Sequence, residues 1–72
     1  MNALQSFLDQ KRERLSAFAI RIGRSPSTLS RTLAGERNPS VDLALDVEAG
    51  TEGAVTASEF LSICLTARKA AE

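Results

Sequence analysis

The chain has 72 residues, 43% of them hydrophobic, and a formal net charge of zero. With no His and a single Cys, it lacks the material for a His-based triad, a zinc site or a disulfide framework, so no catalytic residue, metal or cofactor is expected. No apolar run of about 18 residues occurs and no apolar stretch follows a basic start, so neither a membrane span nor a signal peptide is expected, and a lone thiol fits a reducing cytoplasm. The length predicts one small domain over residues 1–72, with a thin core that gains by oligomerising. Val and Ile are few and nothing alternates long enough for a strand, so the pattern predicts an all-α fold of five helices.

Asn2 is placed to cap a first helix, whose Leu4, Phe7 and Leu8 recur at helical spacing. The charged run Gln10-Lys11-Arg12-Glu13-Arg14 ends it. A short second helix carries Leu15, Phe18, Ala19 and Ile22 and stops at Gly23, a residue suited to positive φ just past a helix. Ser25 is a good N-cap and Pro26 a good first residue for the third helix. In that helix Leu29 and Leu33 point one way, and Ser27, Thr28, Ser30 and Arg31 point elsewhere, until Gly35. Glu36-Arg37-Asn38-Pro39 reads as a turn. Ser40 caps a fourth helix, with Asp42 in its first turn, marked by Val41, Ala44, Leu45 and either Val47 or Glu48 and running to Gly50. After a break at Thr51–Val55, Thr56 and Glu59 form a capping-box signature for a last helix.

Charge is unevenly distributed. Residues 1–40 carry seven Lys and Arg against three acids, a net +4, and residues 41–72 carry two against six, a net −4. A polyanion responds to the local field of one face rather than to the total, so the basic half is the candidate contact surface and the acidic half is expected to face away. Two short helices joined by a tight turn at Gly23, with small Ala19 at their contact, are the physical recipe for a helix-turn-helix over residues 15–34.

The stretch Phe18-Ala19-Ile20-Arg21-Ile22-Gly23-Arg24-Ser25-Pro26-Ser27-Thr28-Leu29-Ser30-Arg31, followed by Gly35, resembles the helix-turn-helix of the Cro and lambda-repressor-like family. Arg37-Asn38-Pro39-Ser40 and residues 51–56 are similar to segments of small phage Cro-type regulators, and the resemblance covers roughly residues 4–60. One departure is Leu15, which stands where many members carry a Gln that helps hold a phosphate.

The resemblance implies a lambda-repressor-like domain that binds double-stranded DNA. Ser27, Thr28 and Arg31 then read bases, and Arg24, Ser25, Arg37 and Asn38 contact phosphates. Lys11, Arg12 and Arg14 extend the basic rim as further phosphate contacts. Such a protein acts in the bacterial cytoplasm as a repressor of phage or mobile-element type, occupying a promoter near its own gene.

Proteins of this type dimerise, which places two recognition helices about 34–36 Å apart on a palindromic operator. The last helix, residues 56–71, is the candidate dimer interface. Ala57, Phe60, Leu61, Cys64 and Ala67 form one stripe, and Ile63 and Leu65 widen it beyond what one face on a thin core needs. The interface set is therefore Phe60, Leu61, Ile63, Cys64, Leu65 and Ala67. Cys64 taken by itself reads as a small buried apolar residue. An alternative of a different class is a protein-interaction adaptor, or an antitoxin whose last helix holds a partner protein.

Overall fold

A computed structural model describes residues 2–71; Met1 and Glu72, the ends of the expected domain, lie outside the described residues. Five helices follow in order: α1 (Ala3–Lys11), α2 (Leu15–Arg21), α3 (Pro26–Leu33), α4 (Val41–Gly50) and α5 (Ala57–Ala71), and no strand occurs among the described residues. The fold is all-α. Among the described residues, no helix is long and apolar enough to cross a membrane.

Local chemistry sets most of the helix starts. The Asn2 side chain accepts from the backbone N–H of Gln5 at 2.8 Å, and Ser40 Oγ accepts from that of Leu43 at 3.1 Å. Thr56 and Glu59 exchange reciprocal bonds, Glu59 N–H to Thr56 Oγ1 at 3.1 Å and Thr56 N–H to Glu59 Oε1 at 3.3 Å. Glu48 reaches from α4 to accept the Ala57 N–H at 2.9 Å, a contact with no local signal in the sequence. Ser25 corrects the expectation: it occupies the N-cap position of α3, but its side chain makes no capping bond.

The first four helices end alike, with an N–H bonding back five residues. The pairs are Glu13 to Leu8, Arg24 to Ala19, Glu36 to Arg31 and Gly53 to Glu48. Gly23 and Gly35 supply the left-handed residue at two of these ends, with φ of 78° and 84°. Arg12 and Glu52, both at φ 54°, supply it at the other two, which a search for glycine does not find. Gly50 ends α4 as expected and serves a second purpose. It is the last residue of α4, and a Cβ there would sit 2.5 Å from Ile22 Cγ2, so its small size lets α4 close on the end of α2.

Phe18, Phe60, Leu4, Leu8, Leu29, Val47 and Val55 are fully buried and form the centre, joined by Ala19, Leu43, Ala44 and Cys64. α2 packs on α3, and α5 packs on α4, α3 and α1 together. That arrangement explains the broad apolar arc of α5: one helix with three neighbours needs more than one face. In α4 the inward residues are Leu43, Ala44 and Val47. Val41 and Leu45, which mark the same helix in the sequence, are 64% and 51% exposed. Apolar residues stand on several sides of this helix, so periodicity alone does not select the buried one.

Thr32 and Thr51 are the buried polar residues. Thr32 donates to the Thr28 carbonyl at 2.7 Å. Thr51 donates to the Val47 carbonyl at 2.9 Å and accepts the Val55 N–H at 3.1 Å, which ties the turn before α5 to α4.

Candidate nucleic-acid interface

α3 is anchored by Leu29 and Thr32, both buried, with Leu33 half-buried beside them. Ser27, Ser30 and Arg31 are exposed, and Thr28 is half-buried. Ser27 and Arg31 are four residues apart, so they lie one turn apart on the same side of the helix. Exposed Ser25 stands at its start. With no side-chain cap, the first N–H groups of α3 beyond Pro26 remain available to an anion, where the helix dipole favours negative charge. Arg37 and Asn38 are exposed in the turn that leads from α3 to α4.

Arg24, at the entrance to α3, is engaged within the chain. Its Nε donates to Asp46 Oδ2 at 2.8 Å and its Nη2 lies 2.6 Å from the same oxygen. The acidic half therefore does not lie wholly away from the basic half, as the charge distribution suggested: Asp46 of α4 sits against the turn before α3. Arg21 is also paired. It donates two hydrogen bonds of 3.0 Å to the Glu13 carboxylate and stacks 5.0 Å from the centre of the Phe18 ring. These bonds hold the Glu13 carboxyl below the usual carboxylate range and push the Arg21 guanidinium further up. Among the described residues, Lys11, Arg12, Arg14, Arg31 and Arg37 have no acidic partner within 4.0 Å.

The structure divides the expected phosphate contacts into two groups. Arg24, Ser25, Arg37 and Asn38 stand in the segments on either side of α3. Lys11, Arg12 and Arg14 gather elsewhere, around an open groove of about 920 Å³ that they share with Arg21, Glu13, Gly50, Thr51, Glu52 and Ala54. No residue of α3 lines that groove.

The expected dimer surface changes most. Phe60 and Cys64 are 0% and 1% exposed within the chain's own core, so they offer no area to a second copy. Burial also pushes the Cys64 thiol up to about 11. Ile63 and Leu61 are half-buried against the core. The backbone of Ala67 abuts Gly35, so its side of α5 is occupied by the turn after α3. Leu65, at 57% exposed, is the large apolar residue of the set that faces outward. Ser58, Leu61, Ser62, Thr66, Arg68 and Lys69 surround it along an open face of about 650 Å³.

No family model matches the chain, and no curated protein or solved structure matches it either.

Proposed function

We propose that the chain is a sequence-specific double-stranded-DNA-binding transcriptional regulator of the lambda-repressor-like kind, acting as a repressor by occupying a promoter near its own gene. The observation that carries this reading is α3 itself. A short helix is fixed from behind by Leu29 and Thr32, entered through a tight turn at Gly23, and left with Ser27 and Arg31 outward. Arg31 is the residue for guanine, since its fork bonds O6 and N7 together. Ser27 and Thr28 add shorter contacts, and Thr28 has a methyl for thymine. Arg37, Asn38, Ser25 and the open N–H groups of α3 hold phosphates and set the register.

The test is fluorescence anisotropy on the duplex upstream of the chain's own gene and on its scrambled counterpart, at two salt concentrations. Tighter binding to the natural sequence, weakening as salt rises, is the expected result. Equal binding to both removes sequence specificity from the account.

The regulator works as a homodimer, which a palindromic operator requires, and the outer face of α5 around Leu61 and Leu65 is the surface for it. Light scattering at micromolar concentration is expected to give twice the 7.7 kDa chain mass. A monomer mass at that concentration contradicts the dimer.

The second reading, an adaptor or antitoxin that holds a partner protein, is favoured by Val41 and Leu45. They stand one turn apart on α4, both more than half exposed, and the DNA reading gives them no role.

A further inference from the structure

We infer that Asp46 masks Arg24 from duplex phosphates, so that the turn before α3 contributes position but no net charge to DNA binding. The inference rests on the DNA-binding reading above and adds to it a limit on the electrostatic part of the affinity. Arg24 would otherwise be the cation nearest the start of α3. Its Nε and Nη2 both point to one oxygen of Asp46, at 2.8 and 2.6 Å, across 22 residues of sequence. Both side chains are partly exposed, 33% for Arg24 and 42% for Asp46, so the pair lies at the surface where a phosphate would approach.

Such a pair is weak by itself, worth about 0–1 kcal/mol. Its effect on binding is not weak, because affinity for DNA depends on how many phosphates the protein neutralises. Each one contributes about 0.9 to the slope of log K against log salt. A guanidinium that carries its own carboxylate neutralises none. The loss falls equally on every sequence, so it lowers nonspecific binding and leaves base contacts by Arg31 to decide the site. Arg37, on the other side of α3, has no such partner among the described residues and remains a full phosphate contact.

The experiment uses the full chain and one mixed-sequence duplex, titrated between about 50 and 200 mM salt. Four proteins are compared: wild type, Asp46→Asn, Arg24→Ala, and the double variant. Both side chains lie at the surface, so neither substitution opens a void, and a thermal melt of each variant confirms folding. Arg24→Ala leaves the Asp46 carboxylate without its partner, so masking predicts weaker binding from it at every salt concentration. Masking also predicts that Asp46→Asn steepens the slope by about 0.9, an additional loss of about threefold over that salt range. The double variant is predicted to return to the wild-type slope. A double variant with a slope flatter than wild type by about 0.9, or a slope unchanged in Asp46→Asn, overturns the masking while the DNA-binding reading stands. Absence of salt-dependent binding by the wild type overturns both.

Discussion

Arg31→Ala is expected to weaken binding to the cognate duplex by roughly 5- to 150-fold, while binding to a scrambled duplex falls much less. The range is the ~1–3 kcal/mol of discrimination that one bidentate base contact supplies. Arg31 is suited to that role because it is exposed, stands on the same side of α3 as Ser27, and has no acid within 4.0 Å among the described residues. Its donors are not committed inside the chain, unlike those of Arg21 and Arg24. A phosphate contact behaves differently: its loss weakens both duplexes alike and lowers the salt slope by about one. Anisotropy on the two duplexes therefore separates the roles, and equal losses would move Arg31 from the bases to the backbone.

Gly35→Ala is expected to destabilise the fold by about 3 kcal/mol, against about 1 kcal/mol for Gly23→Ala. Both glycines have left-handed φ, 84° and 78°, so both substitutions incur the strain of a Cβ in that region. Only Gly35 is also crowded. A Cβ there would stand 2.6 Å from the Arg68 backbone nitrogen and 2.8 Å from the Ala67 carbonyl carbon, whereas at Gly23 nothing lies within 4 Å. Backbone atoms of a helix cannot move aside as a flexible side chain does, so α5 or the turn after α3 must shift as a whole. In a chain of this size the difference is on the order of 10 °C in melting temperature. Thermal denaturation followed by circular dichroism reads both variants, and equal shifts would contradict the close approach of the turn to α5.

The ends of α3 were legible because the chemistry that sets them is local: Ser25-Pro26 before it, and Gly35 two residues beyond its last helical position. The caps at Asn2, Ser40 and Thr56–Glu59 were legible for the same reason. Arg12 and Glu52 were not, since a left-handed residue other than glycine carries no compositional mark. The buried side of α4 was not legible, because Val41 and Leu45 obey helical spacing as well as Ala44 and Val47 do. The arc of α5 was read as surplus because the number of its neighbours is a property of the tertiary fold, and Phe60 and Cys64 are used up by it. Within the candidate interface, Ser27 and Arg31 emerged exposed as their spacing suggested, but the partner of Arg24 lies on another helix. No short-range pattern announces an ion pair of that separation, so counting charges along the chain overstated the unpaired cations beside α3.

Chemical-shift mapping of the isotopically labelled chain during titration with the upstream duplex tests the central claim most directly. The account predicts that the largest amide perturbations fall on Ser25–Arg31 and on Arg37 and Asn38, with α5 around Leu61 and Leu65 unaffected by DNA at constant protein concentration. Perturbations confined to the groove of Lys11, Arg12 and Arg14, or no saturable perturbation at low salt, would contradict α3 as the surface that reads DNA.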